Sequence, residues 1–204
     1  MTTIYTVGHS NHTLDALSAI LRMHGINAVA DVRSTPYSRF APHFSKDVLA
    51  SLLQKVGVGY LFMGSQLGAR PNDPACYRNG SVDFSRLSQT DYFQNSLAEI
   101  RKVASQFRLS LLCSEKDPIL CHRMILISRH LRAGDTTIKH IGENGELEDN
   151  HDAEKRLLAL LHMAPTDLFR TPEELIEEAY DRQAERIAYH EEEEVTAGTG
   201  VTHA

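Results

Sequence analysis

The 204-residue chain is long enough for one domain of ordinary size, or one domain with an appendage. Its 42% apolar and 24% charged residues are those of a folded soluble protein. No apolar run approaches the roughly 20 residues that cross a bilayer. The start Met1-Thr2-Thr3-Ile4-Tyr5-Thr6 lacks the basic-then-apolar pattern of a signal peptide. Three cysteines are too few for a disulfide framework, so a reducing, cytoplasmic setting without membrane association is expected. The net charge of −6 is local: residues 171–204 carry ten acids against Arg182 and Arg186, which leaves the first 170 residues slightly basic. Phosphate and nucleic-acid partners therefore stay open.

In chain order, Ile4 to Val7 reads as a short strand that ends in the turn-forming run Gly8-His9-Ser10-Asn11. Thr13 is placed to cap a helix from Leu14 to His24, with Leu14, Leu17, Ile20 and Leu21 on one face and Gly25 as its stop. Asn27 to Val32 is a buried second strand that runs into Asp31-Val32-Arg33. Ser45 should cap a second helix to Val56, with Val48, Leu49, Leu52 and Leu53 inward, and Val58 to Met63 is a third strand. Gly64 to Ser88 has little periodicity and reads as a long loop, a kind of segment that usually carries function.

Phe93, Leu97, Ile100 and Val103 mark a helix within 89–107, and Leu109 to Cys113 is the fourth strand. Asp117-Pro118 has the chemistry of a helix start, the helix running to about Arg132. Thr136 to Ile141 is a fifth strand, Glu143 to Glu146 a turn, and Asp152 to Met163 a helix. A last helix opens at Pro172 and carries the apolar stripe Leu175, Ile176, Ala179, Tyr180, Ile187 and Ala188. Residues 1–148 are thus expected to form the α/β domain and 149–190 a helical extension packed on it. The stripe offers a route to a homodimer, and 191–204 reads as a disordered acidic tail.

Strands alternating with helices imply an α/β fold: one doubly wound, mainly parallel sheet of about five strands with helices on both faces. Such sheets bind ligands at the carboxyl ends of their strands. Three strand ends here carry polar clusters, which a parallel sheet places along one edge. Cys113, Glu115, Lys116, Cys121, His122 and Arg123 form the richest segment. A helix starting near Pro118 would set positive charge against an anion or a thiolate there. Packing alone explains either cysteine taken singly, but not the whole cluster. Asp31 and Arg33 point to one side of their strand, either as a structural ion pair or as a base and an anion clamp. His9 and Ser10 sit on the first turn, where His9 serves as acid, base or ligand, or simply bonds backbone.

Arg39 and His43 follow in a polar, aromatic stretch, and the long loop adds Arg70, Cys76, Tyr77 and Arg78. Arginine interleaved with tyrosine suits phosphate contact and base stacking, against a background of ordinary loop surface. Phosphate-loop and dinucleotide fingerprints are absent, as are Cys-x-x-Cys and His-Glu-x-x-His. Cys113, Cys121 and His122 lack a recognisable zinc spacing, so neither metal nor cofactor is expected.

Thr6-Val-Gly-His-Ser-Asn11, Asp31-Val-Arg-Ser34 with Pro36 and Arg39, and Leu111-Leu-Cys-Ser-Glu-Lys-Asp-Pro118 with Cys121-His-Arg123 together resemble the DUF488 family. Phe44 with Lys46, and Gln66-Leu-Gly68, are weaker matches, and the resemblance spans roughly residues 3–135. It implies an α/β fold with its polar motifs in one site and no agreed reaction. A looser similarity links the Asp-x-Arg and the strand-end cysteine to rhodanese-type sulfurtransferases. Glu115, Lys116 and Pro118 depart from the glycine- and arginine-rich loop of those enzymes.

Three functional expectations follow. The first is an enzyme acting on a phosphate-bearing small molecule or nucleic acid by acid–base hydrolysis. Its acid–base set is His9, Asp31, Glu115 and His122, and its anion-binding set is Ser10, Arg33, Arg39, Lys116 and Arg123. The second is thiol or sulfur transfer at Cys113 and Cys121. The third is a non-catalytic anion-binding module.

Overall fold

The computed structural model describes residues 2–37, 41–132 and 134–191. Arg39 and the tail 192–204 lie outside the described residues. In chain order the elements are β1 (Thr2–Gly8), α1 (Leu14–Met23), β2 (Ala28–Asp31), α2 (Lys46–Lys55), β3 (Gly59–Phe62) and α3 (Gly64–Leu67). The hairpin β4 (Tyr77–Arg78) and β5 (Ser81–Val82) follows, then α4 (Phe84–Ser88), α5 (Asp91–Ala104) and β6 (Leu109–Cys113). The chain closes with α6 (Arg129–Leu131), β7 (Thr136–Ile141), β8 (Leu147–Asp149), α7 (Asn150–Leu160) and α8 (Pro172–Ile187).

The sheet order is β3-β2-β6-β1-β7-β8. Its first five strands run parallel, and β8 lies antiparallel at the edge. The expected five strands are all present, and β8 is the sixth. Side chains alternate across the sheet as the pleat demands. Ile4, Ala28, Ala30, Leu109, Leu111 and Ile138 join the core under α5, α7 and α8. Tyr5, Val7, Val29, Leu112 and Ile141 join the core under α1 and α2. Helices on both faces explain why the strands read as nearly unbroken apolar runs. Because β6 inserts between β2 and β1, the three strands that carry polar clusters are the three central neighbours.

Several local expectations give way. Gly64 to Ser88 is not a plain loop: it holds α3, the β4–β5 hairpin and α4, elements too short to leave a period in the sequence. Ser45 stands at the start of α2, but its hydroxyl turns back to the Pro42 carbonyl and caps nothing. Val48 is solvent-exposed, because α2 rests on Leu49 and Leu53. Asp117 does cap Ile119, at 3.2 Å, yet only a single 3₁₀ turn (Pro118–Leu120) follows. The longer helix starts after Cys121 as a π-helical segment, Arg123–Ser128, that passes into α6.

The terminal helices share the main core. Leu157, Leu161, Leu175, Ala179 and Tyr180 pack with Ile119 and Met124. Leu175, Ile176, Ala179 and Tyr180 of the α8 stripe are therefore buried against the chain's own core, and Ile187 and Ala188 are half-buried. A buried polar chain ties the two regions together. Thr6 donates to His140 Nδ1 at 2.8 Å, and His140 Nε2–H donates to Asn150 Oδ1 at 3.1 Å. Asn150 and the Tyr180 hydroxyl both donate to Glu154, at 2.7 and 2.9 Å.

Burial pushes the His140 imidazolium down to about 3, with Arg123 and Arg156 adding to the effect and Asn150 and Cys121 opposing it. In the unfolded chain this histidine titrates near 6.5. The unfolded state therefore binds the extra proton between those limits, and stability drains away as pH falls below about 6.5. The slope from this group approaches roughly 1.4 kcal/mol per pH unit. We expect His140→Asn to weaken the fold at neutral pH and to make the acid limb shallower by about one proton. Urea unfolding across about pH 4–7 measures this, and an unchanged slope contradicts it.

Candidate active site

The β1 turn is pinned to the end of β6. His9 N–H donates to the Cys113 carbonyl and Ser10 N–H to the Ser114 carbonyl, both at 2.9 Å. Ser10 takes a left-handed conformation (φ 44°), which turns the chain away. Gly8 has a steric reason: a Cβ there would lie 1.8 Å from the Glu115 carbonyl oxygen. The backbone of 113–116 therefore passes directly over β1.

Arg123 fixes this passage. Its guanidinium donates to the Glu115 carbonyl (2.6 Å), the Lys116 carbonyl (2.9 Å) and Thr6 Oγ1 (3.3 Å). It is 0% exposed. Arg123 was expected to bind an anion from solvent, but it clamps backbone instead. Lys116 leaves the cluster as well: it is largely exposed and pairs with Glu143. Four side chains do converge. Cys113 and Cys121 thiols both reach Glu115 Oε2 at 2.9 Å. His122 Nδ1 lies 3.5 Å from Cys113 Sγ and 3.9 Å from Cys121 Sγ. His122 Nε2–H donates to the Val32 carbonyl at 3.0 Å, and this fixes the tautomer that aims Nδ1 at the sulfurs. One ligand atom from each of the four residues lies within 4.8 Å of all the others.

The electrostatics of the pair are asymmetric. Burial pushes the Cys113 thiol well up, and its neighbour Cys121 adds to the shift. Burial would also raise Cys121, but the hydrogen bond from Cys113, the Arg123 charge and His122 prevail and hold it well below the ordinary thiol range. Burial and then Cys121 raise the Glu115 carboxyl. His122 is raised despite its burial, by Cys121, Glu115 and the Val32 carbonyl. The site thus favours a negative charge centred on sulfur.

A second cluster adjoins it. Asp31 accepts from Arg33 Nε (2.9 Å), Arg33 Nη2 (2.6 Å), the Arg33 backbone (3.1 Å) and Tyr60 OH (2.7 Å). Arg33 Nη1 donates to His9 Nε2 at 3.2 Å, and His9 Nδ1–H donates to the Ser10 carbonyl at 3.0 Å. The His9 ring stacks on Phe44, 4.3 Å between centroids. Burial and then Arg33 push His9 down to about 4, so it is neutral at pH 7 with its lone pair held by a guanidinium. His9, Asp31 and Arg33 thus form a buried, internally satisfied network, and the strand-end ion pair is the better description of Asp31 and Arg33. Ser10 lends the network its carbonyl. Tyr60 and Phe44 complete it without having been singled out in the sequence. Strand parity signals Tyr60 only once β2 and β3 are known to pair.

The description "domain of unknown function DUF488" matches residues 13–130, more than half of the chain. The chain belongs to the DUF488 family. No curated protein and no solved structure matches it. The DUF488 match takes in the Asp31–Arg33 strand end and the whole Cys113–Arg123 segment, and it leaves out His9 and α7 and α8. No helix among the described residues is long and apolar enough to cross a membrane.

Gly8→Ala is expected to cost about 2–3 kcal/mol, because both the Glu115 backbone and β1 are fixed. Gly59→Ala, whose Cβ would meet Asn27 at an ordinary 3.6 Å, is expected to stay within about 1 kcal/mol of the parent. Thermal unfolding of the two variants side by side tests the contrast.

Proposed function

We propose that Cys113, Cys121, His122 and Glu115 form a metal centre, zinc by its ligand chemistry, and that the protein is a metal-dependent hydrolase. The observation that carries this reading is the convergence of two sulfurs, one oriented imidazole nitrogen and one carboxylate oxygen within 4.8 Å. Two thiolates and an imidazole suit zinc over hard cations such as magnesium. The Val32 carbonyl supplies the outer hydrogen bond that metal-binding histidines ordinarily make.

Charge balance supports the same assignment. Among the described residues no carboxylate lies within ion-pair distance of the buried Arg123, whose partners are carbonyls and a hydroxyl. Two thiolates on a divalent cation, with Glu115, leave one negative charge in this place, and that offsets the guanidinium.

Cys113, Cys121 and His122 are held by the end of β6 and the start of the following helix, whereas Glu115 rides on the connecting loop. Three fixed ligands, with Glu115 able to swing off and leave the fourth position to water, would give the open coordination of a catalytic zinc site. Zinc held there would supply an activated water and a Lewis acid. Glu115, on the connecting loop beside that water, would be the residue to take up and pass its proton. The earlier phosphate reading keeps hydrolysis but loses its cations: Arg33, Lys116 and Arg123 are engaged within the protein. Thiol transfer is the second reading, favoured by the low-lying Cys121 thiol. Against it, the two sulfur-bearing residues are only 3% and 1% exposed.

Purified protein is expected to carry one zinc per chain, measured by elemental analysis. Cys121→Ser should weaken zinc binding at least about 100-fold, the share of one ligand among four. Glu115→Gln should lose turnover and weaken zinc binding less than Cys121→Ser does, since a neutral amide oxygen replaces a carboxylate ligand. Protein that takes up no zinc after reconstitution, with thiols freely open to alkylation, overturns the proposal in favour of thiol chemistry.

A further inference from the structure

Two large apolar side chains stand almost wholly in solvent. Leu168 is 94% and Phe169 93% exposed, in the connection between α7 and α8. A groove of about 410 Å³ opens elsewhere on the chain, where the edge strand β3 meets the end of α5. Leu61, Leu109, Val103 and Phe107 give it an apolar lining, and Phe107 is itself 48% exposed. We propose that the Leu168–Phe169 knob of one chain seats in this groove on a second copy of the chain.

The knob is held in shape by its neighbours. Asp167 Oδ1 accepts the Phe169 N–H at 2.8 Å, an Asx turn that bends the chain at Leu168. Arg170 pairs with Asp167 at 3.3 Å and with Glu178, which ties the loop to α8. Thr171 and Glu174 then form the reciprocal cap that starts this helix. A fixed turn that keeps two adjacent large apolar side chains in water contributes nothing to the isolated chain. Those side chains contribute only when another surface removes them from water.

The groove suits such an insertion. Ala28, Gly59 and Leu109, the first residues of β2, β3 and β6, all line it, so it lies at the end of the strands remote from Cys113. The contact therefore stands without the metal reading. β3 carries no charge and no proline to guard its edge, whereas β8 at the other edge carries Glu148 and Asp149. Charge names the occupant. Lys55, Lys102 and Arg108 are exposed, each within two residues of a lining residue, and Glu99 is the nearest acid on α5. The knob has surroundings of the opposite sign. Residues 167–178 hold five acids against Arg170, and Glu173 and Glu174 are exposed. Arg129 and Arg132 offset part of this through Glu177 and Glu173. An apolar tip in an acidic setting thus matches an apolar groove with a basic rim, both from one sequence. An anionic lipid surface would be repelled by the same acids.

The test is sedimentation velocity of the full chain from low micromolar to near-millimolar concentration, with Phe169→Ser, Phe107→Ser, Lys102→Glu and Met23→Ser in parallel. The parent should associate as concentration rises. Phe169→Ser should weaken association at least about tenfold and leave the Tm unchanged, because its side chain lies outside the fold. Lys102→Glu, at the rim, should weaken it about two- to fivefold. Met23→Ser removes an exposed apolar side chain elsewhere and should change nothing. Each copy offers one knob and one groove, so Phe169→Ser and Phe107→Ser chains, mixed, should rebuild a single contact and sediment as a one-to-one pair. Lys102→Glu serves as the groove variant in that mixture if Phe107→Ser loses its fold. A parent that stays monomeric throughout overturns the proposal. So does association that Phe169→Ser leaves intact. Association that Phe169→Ser abolishes but both groove variants preserve also overturns it, since the knob then has another seat.

Discussion

One buried guanidinium organises the site. Arg123 holds the carbonyls of Glu115 and Lys116, and through Thr6 it reaches the His140–Asn150–Glu154 chain. Without that clamp, nothing regular would fix the stretch between the end of β6 and the 3₁₀ turn, since it belongs to no strand or helix. With it, the loop lies across Gly8 and sets the Glu115 carboxylate over both sulfurs. A charge this deeply buried is costly unless its surroundings answer it. The carbonyls meet its hydrogen-bonding demand, and the sulfur cluster meets its charge. Structure and chemistry at this edge of the sheet thus depend on each other.

The same logic separates the two polar clusters. Asp31, Arg33, Tyr60 and His9 satisfy one another, with a cation and an anion balanced inside the group. Such a network orients backbone: it steadies the exit of β2, where the Val32 carbonyl must sit to direct His122. Cys113, Glu115, Cys121 and His122 instead bring one possible ligand atom each to one point.

Much of this was legible in the residues. Apolar runs such as Asn27–Val32 and Leu109–Cys113, each followed by helical spacing, gave the parallel sheet and placed three polar strand ends together. What pairwise geometry decides was not legible. Cys113-x-Glu115 and Cys121-His122 lack a metal spacing, because the ligands span a strand end, a loop and a helix start whose relation only the fold supplies. Nor does composition show whether an arginine faces solvent or backbone, so Arg123 and Lys116 read alike and behave in opposite ways. Tyr189, in a stretch with no period, reached the insertion through main-chain pairing that leaves no side-chain signature.

The strand order carries a consequence for how the molecule is made. β1 and β2 come early in the chain but do not touch; β6 must slide between them, and its first residue is Leu109. During synthesis the emerging polypeptide therefore holds two apolar strands with open flanks until about half its length has appeared. The end of β6 that carries Cys113 reaches the sheet after β1, β2 and β3 and before β7 and β8. Cys113 and the backbone that crosses Gly8 thus come beside β1 and β2 in the one step that closes the gap between those strands.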